Sequence, residues 1–144
     1  MAESFDVVVL GIGNAGMGVA HAAGKSVAIV DSWDVGGTCP LRGCVPKKVL
    51  VAAAQTLATI DQASEQKISV GDVSLDSGAL MDRERTFVQG TPAAFIGSLE
   101  SRGIELVQGS AKFSGSNQID VNGRILGAGK IVIVTGWKTT TTRH

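Results

Sequence analysis

Phe5-Asp6-Val7-Val8-Val9-Leu10-Gly11-Ile12-Gly13-Asn14-Ala15-Gly16 begins as a mostly apolar run and ends on three glycines spaced G-x-G-x-x-G. An apolar run of this length, without polar alternation, predicts a strand buried on both faces, as in a parallel sheet. The glycines allow a tight turn and a close backbone approach to a pyrophosphate, whose charge meets the free amides and positive end of the following helix. Gly11, Gly13, Asn14, Ala15 and Gly16 are therefore candidate phosphate-contacting residues. A second strand, Ser26-Val27-Ala28-Ile29-Val30, is expected to deliver Asp31, with Ser32 beside it, twenty residues after Gly11. A carboxylate there can accept hydrogen bonds from adenosine ribose hydroxyls. Glycine-rich turns also occur without ligands, but strand, turn, helix and Asp31 in this order predict dinucleotide binding. The motif alone does not separate FAD from NAD.

Further along, Gly36-Gly37-Thr38-Cys39-Pro40-Leu41-Arg42-Gly43-Cys44-Val45-Pro46-Lys47-Lys48 carries both cysteines of the chain. Two thiols at this spacing, on a loop leading into a helix, can close a small disulfide ring. The helix N-terminus and the nearby Lys47 and Lys48 would favour a thiolate at Cys44, making it a candidate redox nucleophile. Two plainer accounts exist. The cysteines could be small buried hydrophobes, or half of a metal site completed by His21 and His144. Neither account calls for the surrounding glycines, proline and lysines, so redox chemistry is favoured and no metal is assigned. His21 is read as an ordinary surface or packing residue.

Composition is compatible with one domain. The chain has 144 residues, 44% hydrophobic and 18% charged, with 19 glycines, enough to bury a core. Its formal net charge is zero, so nothing points to nucleic-acid steering. The strongly apolar stretches are only of strand length, and Met1-Ala2-Glu3-Ser4 lacks the basic start of a signal peptide. The expectation is a cytoplasmic protein with neither nucleic-acid nor membrane partners, a setting in which paired cysteines are more often catalytic than structural.

The rest of the chain predicts a helix over 49–66, a connecting segment over 67–77, and a second helical stretch over 80–102 interrupted near Gly90-Thr91-Pro92. Asp82, Arg83, Glu84 and Arg85 are expected on a solvated face. A short strand is predicted over 103–107 and another beginning at Gly109. Gln118 to Val121 and Arg124 to Leu126 form a hairpin around Asn122-Gly123, the residues a type I′ turn prefers. A last strand covers 130–134.

The pattern Gly-Gly-Thr-Cys, four residues, Cys-Val-Pro-Lys resembles the redox-active disulfide of the pyridine nucleotide-disulfide oxidoreductases, which include glutathione reductase, dihydrolipoyl dehydrogenase and mercuric reductase. The first glycine turn and the order of elements fit the same family over about residues 5 to 136. Four departures are visible: Pro40 replaces an aliphatic residue, Asp31 a glutamate and Val134 an alanine, and the helix after Gly16 is about one turn shorter, at roughly 3.6 residues per turn.

The resemblance implies an α/β fold: a partial Rossmann-like FAD-binding domain, with a parallel sheet, helices and a small antiparallel β crossover. This domain would occupy 1–136, followed by a tail over 137–144 outside the family pattern. It implies FAD here, and NAD(P)H in the complete enzyme. Electrons would pass through the flavin to a Cys39–Cys44 disulfide and on to a small-molecule or protein disulfide or a related acceptor. Cys39 would be the more exposed thiol that exchanges with substrate, while Cys44 rests against the flavin. Lys47 or Lys48 would lie near the flavin, Thr38 would contact the phosphates or ribityl chain, and Gly36, Gly37 and Gly43 would line the cofactor. Gly109 to Ala111 would pass near the adenine, and Thr135 and Gly136 would approach the FAD. The family's NAD(P)H domain and its homodimer-forming domain find no match, so the expectation is an N-terminal fragment. The alternatives are a non-catalytic FAD-binding module and an inactive remnant.

Overall fold

A computed structural model describes residues 3–137, which divide into two compact units, one of residues 3–37 and 92–137 and the other of 38–91. The first unit contains strand β1 (Glu3–Leu10), helix α1 (Asn14–Ala22) and strand β2 (Val27–Asp31). The second contains α2 (Thr38–Arg42), α3 (Cys44–Asp61), a 3-10 turn (Ala63–Gln66) and α4 (Ser77–Val88). Helix α5 (Thr91–Glu100) returns the chain to the first unit, followed by β3 (Glu105–Gln108), β4 (Ala111–Gly115), β5 (Gln118–Val121) and β6 (Arg124–Ile133).

Six strands form one mixed sheet in the order β3-β2-β1-β6-β5-β4. β1 pairs in parallel with β2 and β6, and β2 with β3, whereas β4, β5 and β6 are joined antiparallel. The expected parallel sheet and antiparallel crossover are both present, and they share a continuous strand. β6 pairs with β5 over its first residues and with β1 from Leu126 onward. The sequence suggested two strands here because Gly127, Ala128 and Gly129 carry little side chain to mark a strand. The glycine at 129 is required by geometry, since a Cβ there would lie 2.8 Å from the carbonyl oxygen of Asp6.

Alternation along β1 sends residues to two cores. Val8 and Leu10 join Ala28, Val30 and Val107 on one side, with Ile119, Val121, Leu126 and Ala128 from the hairpin end of the sheet. Val9 joins Val27 and Ile29 on the other, where Met17 and Ala20 of α1 and Leu99 of α5 cover the sheet. Each large aliphatic side chain so buried contributes about 1.5–3 kcal/mol. His21 and Ser98 add a polar contact of 3.3 Å between α1 and α5, consistent with a packing role for the histidine.

Several boundaries differ from expectation. Residues 38–42 are a short helix rather than loop, α3 starts at Cys44, and Asp76 caps α4 by accepting from the Ala79 amide at 2.9 Å. Glu84 is buried whereas Asp82, Arg83 and Arg85 are exposed, so those four charges do not form one solvated face. The hairpin turn is as expected, with Asn122 and Gly123 both at positive φ. Among the described residues no helix is long and apolar enough to cross a membrane.

At the N-terminal ends of the strands, Arg124 forms a fork with Glu3, donating from Nε to Oε1 at 2.9 Å and from Nη2 to Oε2. Its Nη2 also reaches Glu105 at 2.6 Å, so one guanidinium ties three strands. Hydrogen bonding to Arg124 holds the Glu3 carboxyl below its ordinary value of 4.5. A depressed folded-state value means the contribution is present above the ordinary value and is lost as pH falls through the lowered one. Exposed pairs of this kind contribute little, whereas Ile29 is fully buried. We therefore expect Ile29→Ala to cost about 2–5 kcal/mol in denaturant unfolding. Arg124→Met should lower the melting temperature slightly at neutral pH, a difference that shrinks as the pH falls below about 4.

Candidate dinucleotide and dithiol sites

The turn after β1 is built from backbone packed too closely for side chains. Gly11 adopts φ +112°, and a Cβ on it would lie 2.4 Å from the Val134 carbonyl oxygen and 3.0 Å from Thr135 Cα. Its amide donates to Val30 at 2.7 Å, while the Val134 amide donates to Leu10 at 2.8 Å, so the ends of β1, β2 and β6 converge on this point. A Cβ on Gly16 would fall 1.8 Å from the Gly11 carbonyl oxygen, which fixes how closely α1 approaches the strand end. Gly37, at φ +69°, brings its backbone against Gly13, with a hypothetical Cβ 2.7 Å from Gly13 Cα. Gly36 is also at positive φ.

Gly13 itself is different. A Cβ built on it meets nothing within 4 Å, although it is the N-cap of α1. It offers no side chain to the helix amides, and the first turn holds no acidic residue. With no side-chain cap and no acidic residue in its first turn, the positive end of α1 has the character that suits an anionic diphosphate.

Asp31 closes the other side of the turn. Its Oδ2 accepts from the Ile12 amide at 2.8 Å and its Oδ1 from the Trp33 amide at 2.9 Å. The carboxylate thus ties β2 to the glycine turn while each oxygen keeps lone-pair capacity for a further donor. Sequence reasoning placed a carboxylate at the end of this strand but not its structural bond to Ile12, since a backbone amide leaves no residue-type signal. The Gly109 amide donates to the Asp31 carbonyl at 2.9 Å, bringing the segment that leads to Ala111 to the end of β2. Ala111 is half-buried against the hairpin side of the core, and Ser32 is exposed. Thr135 lies beside Gly11, whereas Gly136, at φ +73°, has open space around it. Within the first unit, Gly11, Gly13, Asn14, Ala15, Gly16, Asp31, Gly37 and Thr135 therefore gather at one glycine turn, and these groups fit an adenosine diphosphate.

The second unit carries the dithiol segment. Cys39 lies in α2 and Cys44 opens α3, with Gly43 between the helices. A Cβ on Gly43 would lie 3.1 Å from the Thr38 carbonyl oxygen and 3.4 Å from Cys39 Cα, so glycine lets the two turns close on each other. Pro40 is buried in the first turn of α2, where it has no helical hydrogen bond to break. Lys47 and Lys48 are exposed, and the first turn of α3 has no acidic residue. Cys44 is exposed and Cys39 only half-exposed, the reverse of the expected order. The physical reason is local: Cys39 lies under Gly43, whereas Cys44 stands at the open N-terminus of α3. His144 and the tail over 138–144 lie outside the described residues.

With this geometry in view, the chain belongs to the pyridine nucleotide-disulphide oxidoreductase family, whose model matches residues 5–143. The family consists of FAD-binding oxidoreductases that use NAD(P)H. Among similar curated proteins are the dihydrolipoyl dehydrogenase of Chlamydia pneumoniae, 33% identical over 142 residues, and the glutathione reductase of a Nostoc species, 32% identical over 139. Each alignment covers 94% of this chain but only 31% and 30%, respectively, of the relative. The dihydrolipoyl dehydrogenase of Acholeplasma laidlawii is 26% identical over 140 residues, with 42% of its length covered. The chain thus spans about a third of the length of the curated relatives that are most similar among these.

Two substitutions separate fold from ligand at the glycine turn. Gly16→Ala places a methyl inside the Gly11 carbonyl and should sharply lower the melting temperature. Gly13→Ala meets no protein atom, so stability should change by less than about 1 kcal/mol while flavin retention falls, as read by absorbance after gel filtration. Under reducing conditions, limited iodoacetamide treatment followed by peptide mass spectrometry should label Cys44 ahead of Cys39.

Proposed function

We propose that this chain provides the FAD-binding and dithiol parts of an oxidoreductase that passes electrons from NAD(P)H through flavin to Cys39 and Cys44 and on to a disulfide acceptor. The observation that carries the proposal is the close-packed glycine turn at the uncapped start of α1, with Asp31 bound to Ile12 across it, followed in the chain by the Cys39–Cys44 segment. Gly11, Gly13, Asn14, Ala15 and Gly16 would present backbone to the diphosphate. Asp31, with Ser32, would receive the ribose hydroxyls, with Gly36, Gly37, Thr38, Gly43, Ala111, Thr135 and Gly136 as further cofactor-lining residues. Bound FAD would supply the two-electron link between nicotinamide and sulfur.

The thiols perform the remaining chemistry. A thiolate of the reduced pair attacks one sulfur of the acceptor disulfide, forming a mixed disulfide and expelling one acceptor thiolate, which takes up a proton. The second cysteine loses its proton and attacks the protein sulfur of that mixed disulfide, closing the Cys39–Cys44 bond and releasing the second acceptor thiol. Two electrons leave the dithiol and two acceptor thiols form. By resemblance Cys39 makes the first attack and Cys44 stands on the flavin side. Lys47 and Lys48 are exposed, close to Cys44 in sequence and on the same helix, and by resemblance one of them would lie near the flavin.

The test is the absorbance spectrum of the purified chain during reduction. Retained flavin that develops a long-wavelength charge-transfer band at the two-electron level, and loses it in Cys44→Ser, supports the proposal. Flavin that binds without that band indicates a cofactor module with no working dithiol. Failure to retain or rebind flavin overturns the proposal for this polypeptide.

A further inference from the structure

We propose that Asn122-Gly123, at the tip of the β5–β6 hairpin, is a site of covalent self-modification in which the Gly123 backbone nitrogen closes on the Asn122 carboxamide, and that Asp120 restrains the reaction by holding that nitrogen's proton. The proposal is independent of the dinucleotide and dithiol readings. The chain has asparagines at 14, 117 and 122, and only the last precedes a glycine. Glycine leaves the nitrogen that follows Asn122 without a Cβ to shield it, and a Cβ built on Gly123 would meet nothing within 4 Å. Asn122 and Gly123 are both exposed, so water has access to the pair.

The reaction consumes only water. The Gly123 amide nitrogen gives up its proton and bonds to Asn122 Cγ, and the side-chain nitrogen leaves as ammonia with that proton, giving a succinimide ring. Water then opens the ring at either carbonyl, leaving aspartate or isoaspartate. Isoaspartate carries an extra main-chain methylene, which works against the tight turn that sets Val121 opposite Arg124. Two contacts oppose the first step in the folded hairpin. The Gly123 amide donates to Asp120 Oδ1 at 2.6 Å, and a hydrogen bond to a carboxylate makes its proton harder to remove. The electrophile is held as well. A Cβ built on Gly109 would lie 2.5 Å from Asn122 Nδ2 and 3.1 Å from its Cγ, so the carboxamide rests on the Gly109 backbone. Cyclisation therefore proceeds through local opening of the hairpin tip, and the bond to Asp120 sets how often the nitrogen is released.

Incubation of the full chain at one mildly alkaline pH, followed by peptide mass spectrometry with fragmentation, tests both parts. Asn122 should gain the mass of an amide-to-acid change and resolve into aspartyl and isoaspartyl forms, while Asn14 and Asn117 stay unchanged. Folded Asp120→Ala, which lacks the acceptor, should convert on the order of tenfold faster than the parent. Asp120→Asn, which keeps a neutral acceptor oxygen, should fall between them. In denaturant the three chains should convert at similar rates, because the restraint belongs to the fold. Absence of conversion at Asn122 in both the folded parent and folded Asp120→Ala overturns the modification site. Folded Asp120→Ala converting at the parent's rate overturns the restraint, and so does Asp120→Asn converting as fast as Asp120→Ala. A difference between parent and Asp120→Ala that persists undiminished in denaturant also overturns it.

Discussion

The close approach of backbone to backbone at Gly11 is the constraint on which the rest of the first unit depends. Three strand ends meet there, and α1 can start only where Gly16 passes the Gly11 carbonyl without a side chain. The consequence reaches beyond local geometry. Because α1 is drawn against the strand ends, Met17 and Ala20 reach the core formed by Val9, Val27 and Ile29. A methyl group is excluded at Gly16, where it would strike backbone, but not at Gly13, where a Cβ meets no atom within 4 Å.

Asp31 extends this logic from shape to charge. A carboxylate at the end of a parallel strand, next to a helix N-terminus, is in a favourable field for an anion, and two backbone amides satisfy it directly. The tie makes the turn and the strand end a single object, so a ligand bound at one end meets a site already organised. Such preorganisation limits what ordering would cost on binding.

Much of this was legible in the sequence because it depends on residue type. The apolar run 5–10, the glycine spacing, Asp31 and the Asn122-Gly123 turn each encode a backbone requirement that few other residues meet. The segment over 36–48 stood out in the sequence through its cysteines, glycines and lysines. What escaped was carried by backbone or by tertiary context. β6 was divided in two because glycine and alanine at 127–129 carry weak strand signals, although β1 and β5 supply its hydrogen bonds. Glu84 read as surface because its neighbours are charged, yet it is buried. The order of exposure of the cysteines depends on how Gly43 folds over Cys39, which spacing alone cannot report.

Helix α3 spans eighteen residues from Cys44 to Asp61 without burying one of them. Helices draw most of their stability from packing an apolar face, and isolated helices of this length are marginal. The amides of α3 should therefore exchange with solvent through local opening at a free energy well below that of the buried strand residues Val8 to Leu10 and Val27 to Val30. The thiol at its first residue consequently belongs to a segment whose order is set locally. A covalent ring between 39 and 44 would act as a nucleus for that helix, fixing its first turn and making helix content itself depend on the oxidation state of the pair.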